Sequence, residues 1–256
     1  MEVLTATNFS VPVVIARVNG TGPFWFIVDS GSQRTLVTEA VVQEAGLTPS
    51  YTMNFIHYDA LGHLGTHRSV MIDRIELGDA RFEGLAASVI ANGPSKPGPH
   101  EPKYGGVLGV EAFGAVVLDI DFPARRITIS REIPADVAAA DASTYVWLVP
   151  QMMISVAGKK VKAVVDTGSG YALNVPELED WPILAGGRGT TPMDILGKMV
   201  RRSTAQLNGE MIVGPLILHH PVLATADGPR IGSPALADGR LILDHSHKRL
   251  WVVKRP

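Results

Sequence analysis

Cysteine is absent from the 256 residues. That excludes disulfides, thiolate nucleophiles and thiolate-held metals. It suits an oxidising compartment, where a free thiol is a liability, and suits the cytosol as well. No apolar run reaches the ~18 residues that a membrane-spanning helix needs. No basic stretch followed by an apolar run opens the chain, so no leader is visible. The expectation leans to an exported or periplasmic protein with its leader removed, with the cytoplasm as the other location. Charge of one sign is lacking too. The formal net charge is -2, and basic residues form only local patches such as Arg201-Arg202. Nucleic acid is therefore not the expected partner. Long helical periodicity is scarce. The stretch VTEAVVQEAGL predicts one short helix, capped by Thr38 and stopped near Gly46.

What the chain does have is enough apolar material for a sizeable core. Apolar residues are 46% of it and charged residues 19%. Most of it consists of short Val/Ile/Leu runs broken by Gly, Pro and Asn, a pattern that predicts an all-β fold. Its length accommodates one large domain or two lobes of ordinary size.

An internal repeat favours two lobes. In the first half VPVVIARVNG precedes FWFIVDSG; in the second VPQMMISVAG precedes VKAVVDTG. Each pair reads as a hairpin, with Asn19-Gly20 and Ala157-Gly158 at the turns. Further on, GGVLGVEAFG is matched by PRIGSPALADG, each leading an apolar residue into a glycine, Gly109 or Gly232. The halves close on VVLDIDFPARRITIS and LILDHSHKRLWVV. Four features thus recur in one order. The alanine-rich stretch from Ile133 to Val146 between them predicts a linker, placing the lobes at 1–135 and 145–256 with 136–144 joining them.

The repeat ends two apolar strands on a carboxylate, Asp29 and Asp166. An isolated buried carboxylate is costly. A single Asp-Ser-Gly reads as an ordinary turn after a strand. Two of them, each within a matched repeat, are much stronger evidence than a chance pair. The apolar-apolar-Asp-Ser/Thr-Gly-Ser stretch, present twice and each time followed by an apolar-Gly segment, resembles the aspartic proteases. It looks most like the retroviral type fused in tandem, as in bacterial retropepsin-like proteins.

The resemblance implies a bilobal all-β enzyme: two pseudo-symmetric β-barrel lobes with an active-site cleft between them. Asp29 and Asp166 would be its catalytic pair. Two carboxylates about 3 Å apart share one proton, and this enzyme class is the standard example of that behaviour. A water activated between them would hydrolyse a peptide bond, with no covalent intermediate, metal or other cofactor. Around them, Ser30 and Thr167 would bond across the seam. Gly31 and Gly168 would let the backbone approach the carboxylates, and Ser32 and Ser169 would add outer hydrogen bonds. By the same resemblance FIHYDALGHLGTHRSVMI, with Tyr58, Gly62 and Gly65, would form a flap over the cleft. MDILGKMVRRS, with Gly197, would form a second. The expected partner is an extended polypeptide, and the expected state a monomer, since two internal lobes complete the pair.

Other readings remain open at this stage. A non-catalytic peptide-binding protein on the same scaffold would look alike. A metallohydrolase built on histidine would draw on His57, His63, His67, His245 and His247; these stand in polar, turn-rich stretches, where solvated histidine is the default. Asp119 and Asp244, also matched between halves, read as hairpin residues. Arg34, five residues after Asp29, reads as pointing to solvent.

Overall fold

The computed structural model describes residues 11–49, 55–58, 64–91, 102–138, 141–195 and 198–255. It is nearly all-β, as its short β-branched runs predict. The chain opens with β1 (Val13–Val18) and β2 (Thr21–Val28), joined by the Asn19-Gly20 turn. Both turn residues have positive φ, 49° and 81°, and Ala157-Gly158 repeats the pair at 47° and 82°. These left-handed conformations match the twist of the flanking strands, which is why glycine stands second in both turns.

The strands β3 (Thr35–Thr38), β4 (Thr48–Pro49), β7 (Ser69–Leu77), β8 (Ala80–Ile90) and β9 (Lys103–Leu108) complete the first sheet. A separate hairpin pairs β5 (Phe55–Tyr58) with β6 (Leu64–His67). The sheet order is β1-β2-β9-β3-β8-β7, and β7 returns to β1, closing a six-stranded barrel. Along β2, Phe24, Phe26 and Val28 alternate into the barrel and are almost wholly buried. Each such side chain contributes about 1.5–3 kcal/mol by leaving water. The helix α1 (Glu39–Glu44) forms where expected, with the Thr38 hydroxyl accepting from the Val41 amide.

The chain then runs through β10 (Val117–Asp121), β11 (Arg126–Ser130) and the short β12 (Ser143–Thr144) into the second half. There β13 (Gln151–Val156) and β14 (Lys159–Asp166) form the counterpart of the opening hairpin. They are followed by β15 (Leu173–Val175), the long pair β16 (Ile183–Ile195) and β17 (Lys198–Leu207), then β18 (Glu210–Val213), β19 (Leu216–His219), β20 (Val222–Thr225) and β21 (Arg230–Gly232). Their nine-stranded sheet contains β20-β15-β21-β14-β13, the same order as β8-β3-β9-β2-β1.

The last strands, β22 (Gly239–Asp244) and β23 (Arg249–Lys254), do not join that sheet. They pair with β10, β11 and β12 in a five-stranded sheet built from both halves. Its register sets Leu118 opposite Leu243, the matched leucines of VLD and ILD. Two equivalent strands pairing about equivalent residues is what a local twofold relation requires. Charges are buried here. Arg240 grips Asp119 with two bonds of 2.7 and 2.6 Å, and Arg255 bonds to Asp121. Asp119 therefore reaches across to the neighbouring strand, whereas Asp244 holds its own turn through Ser246 and His247, and Arg249 as well. The segment after Ile133 packs on the same sheet: Asp136 bonds Arg240, and Trp251 Nε1 donates to the Ala138 carbonyl at 2.9 Å.

Candidate active site

Asp29 and Asp166 each stand at the end of a strand whose preceding residue is buried, Val28 or Val165. The strand ends are fixed in parallel ways. The Val28 amide donates to Pro12 O and the Val165 amide to Pro150 O, both at 2.9 Å. The carboxylates come together, each packed against the glycine of the other's loop. The Asp166 side chain keeps 13% of its surface exposed.

The loops that carry them interlock through Ser30 and Thr167. The Ser30 amide donates to Thr167 Oγ1 at 2.9 Å, and the Thr167 amide donates to Ser30 Oγ at 3.1 Å. Each hydroxyl then donates onward, Ser30 Oγ to Val165 O at 2.5 Å and Thr167 Oγ1 to Val28 O at 2.6 Å. Both residues are fully buried, and all four polar groups of the lock are satisfied within it.

Gly31 and Gly168 leave no room for a side chain. A Cβ on Gly31 would lie 2.5 Å from Asp166 Cγ, and one on Gly168 would lie 2.5 Å from Asp29 Cγ. Their amides serve instead: the Gly31 N–H donates to Asp29 Oδ1 at 2.8 Å. Ser32 and Ser169 turn their hydroxyls into their own loops. Ser32 Oγ donates to Arg34 O at 2.7 Å, and Ser169 Oγ accepts from Asn174 Nδ2 at 2.7 Å. Gly109 and Gly232 lie beneath. The Val110 amide bonds to Ser32 O and the Ser233 amide to Ser169 O, both at 3.0 Å.

Burial pushes both carboxyls above their ordinary range. For Asp29 desolvation outweighs the Gly31 and Gly168 amides, the Asp166 hydrogen bond and the nearby Arg230. For Asp166 desolvation comes first and the charge of Asp29 second, and together they raise it well above the usual carboxylate value. Such a pair titrates as one unit and holds a proton that an exposed carboxylate would have lost. One member can then accept a proton while the other donates one.

Of the flap candidates, Tyr58 pairs with Leu64 and His57 with Gly65 in the β5–β6 hairpin. Gly62 and Gly197 lie outside the described residues, although Ile195 pairs with Lys198 on either side of 196–197. His63 and much of the proline-rich stretch after Asn92 also lie outside. His245 meets Tyr145 Oη at 2.9 Å and His247 contacts Asp244. Among the described residues no three His, Asp or Glu side chains assemble as metal ligands.

Two readings need correction. Arg34 is half-buried; burial pushes the Glu111 carboxyl up, and the Arg34 charge only partly opposes that rise. Arg202, read as part of a surface patch, is 3% exposed; Nη2 donates to Asn174 Oδ1 at 2.6 Å, and its guanidinium lies over the Tyr171 ring. Sequence reasoning also missed Arg230, whose Nη1 is 3.8 Å from Asp166 Oδ2. Its signal was present in the repeat: PRIGS carries an arginine where GGVLG carries Val107.

Residues 14–112 match the model of a family described as aspartyl protease. No curated protein matches the chain. The matched stretch holds the barrel strands, Asp29 and Gly109. It supports assignment to the aspartic protease superfamily, and with it aspartic peptidase activity and a peptide substrate in general terms.

Proposed function

We propose that the chain is a single-chain aspartic endopeptidase in which Asp29 and Asp166 together activate one water. The observation that carries this reading is their juxtaposition across the Ser30–Thr167 lock, each carboxyl set against the opposite loop's glycine. The singly protonated pair takes a proton from the water through its ionised oxygen. Its protonated oxygen donates to the carbonyl of the peptide under attack. The water adds to that carbonyl carbon, and return of the proton to the leaving nitrogen breaks the C–N bond. Preorganised amides at Gly31 and Gly168 hold the Asp29 carboxylate in place, so the reaction needs little reorganisation.

In this reading the halves 1–135 and 145–256 are two lobes joined through 136–144, each supplying one aspartate. The substrate lies extended between them, and the hairpins β5–β6 and β16–β17 act as flaps through Tyr58, Gly62, Gly65 and Gly197. The monomer is complete, since both aspartates belong to one chain. The test is cleavage of a diverse peptide library, read by mass spectrometry across pH. Defined cleavage products that vanish in Asp29→Asn and Asp166→Asn support the reading. Binding of peptides without turnover in the unaltered protein would favour a non-catalytic peptide binder.

A further inference from the structure

The strands on either side of the paired aspartates can be matched through their registers. In the first half Ile27 pairs with Val107 and Val28 with Leu108. In the second, Val164 pairs with Arg230 and Val165 with Ile231. Arg230 therefore occupies the place of Val107, and a guanidinium stands on one side of the site where an isopropyl group stands on the other. Packing does not require it, because valine fills the equivalent position.

Arg230 is 20% exposed, and a cation so placed is costly unless paired. Asp227 provides the pairing. Arg230 Nε donates to Asp227 Oδ1 at 3.1 Å, and Nη2 donates to Asp227 Oδ1 and Oδ2 at 2.8 and 2.9 Å. That fork fixes the plane of the guanidinium and leaves Nη1 facing Asp166 Oδ2 at 3.8 Å. The charged and titratable groups that meet here, among the described residues, are Asp29, Asp166, Asp227, Tyr171, Arg202 and Arg230. Arg202 is the more distant cation, committed to Asn174 and to Thr225 O.

We propose that Arg230 is a positioning residue of this site: its guanidinium stabilises the single negative charge that the Asp29–Asp166 pair carries when it holds one proton, and Asp227, gripping the opposite edge, sets how strongly. The proposal rests on the catalytic reading of the pair. A cation beside two carboxylates favours loss of protons from both, so the singly protonated window lies lower in pH than it would without Arg230. Asp227 opposes that effect by neutralising part of the charge.

The experiment compares Arg230→Val, which installs the residue of the matched position, with Arg230→Lys and Asp227→Asn. The readouts are the pH profile of kcat/KM and a carbon-13 NMR titration of the Asp29 and Asp166 carboxyls. Arg230→Val should move both limbs up by about one pH unit, the low end for an opposite charge at this range because Asp227 offsets it. Arg230→Lys should move them up by less, and Asp227→Asn should move them down. Opposite signs for Arg230→Val and Asp227→Asn are the signature that a purely structural role would not give. Unmoved limbs, or movement in one direction for both, overturn the proposal while loss of cleavage in Asp29→Asn keeps the catalytic reading. Where Arg230→Val turns nothing over, the carboxyl titration decides with the same signs. Where it fails to fold, Arg230→Lys against Asp227→Asn decides. Cleavage that survives in Asp29→Asn removes the catalytic reading instead.

Discussion

Ser30 and Thr167 each accept a hydrogen bond from the other's backbone N–H, and each hydroxyl donates one to a carbonyl on the opposite strand. The two residues are 137 apart in sequence, so this lock is what brings Asp29 to Asp166. Removing either hydroxyl strands a buried amide and a buried carbonyl. Ser30→Ala or Thr167→Ala should lower stability by about 2–4 kcal/mol, counting roughly 1–2 for each orphaned group. Chemical denaturation measures this. Thr167→Ser keeps the hydroxyl and should lose far less, and kcat should fall more than KM rises in the alanine variants.

Gly31→Ala and Gly168→Ala should each abolish cleavage while leaving most of the barrel intact. The added methyl would lie 2.5 Å from the carboxyl carbon of the opposite aspartate. Either a carboxyl must turn away or the loops must part. Activity assays beside circular dichroism check this; near-normal turnover would show that the carboxylates tolerate separation.

The pH dependence of stability should carry two opposite signs. Burial raises Asp29 and Asp166, so their contribution is intact below pH ~4, the ordinary carboxylate range, and is lost as pH rises through the raised values of the pair. Asp166→Asn removes the Asp166 share of that loss. It should be the more stable protein at pH 7, with the gap closing towards pH 4. Burial alone would raise Asp244, but Arg249, His247 and Ser246 outweigh it and bring it to about 2. Its contribution is present above pH ~4 and is lost as pH falls from there through about 2. Asp244→Asn should therefore cost stability at pH 7 and little near pH 2. Thermal melts across pH test both.

The sequence was most legible where chemistry is local and repeated. The turns at Asn19-Gly20 and Ala157-Gly158 need left-handed backbone, and the chain names them by glycine. Thr38 announces its helix for a similar reason, since its hydroxyl caps an amide three residues on. The meeting of Asp29 and Asp166 could be read because the motif occurs twice. The places of Arg230 and Arg202 are not legible in the sequence, because they depend on which strands lie side by side. Arg230 faces Asp166 only through the parallel pairing of β14 with β21. Arg202 is buried because β17 pairs with β20 and brings it to Thr225 and Asn174. The shared sheet was hidden for the same reason. Asp119 looked like a turn residue until Arg240, 121 positions away, closed on it.

The most direct test of the central claim is peptide cleavage by the unaltered protein and by Asp29→Asn and Asp166→Asn, measured side by side by mass spectrometry across acid to neutral pH. The account predicts defined internal cuts by the unaltered chain and none above background from either variant, both folded. Undiminished cutting by both variants would contradict it.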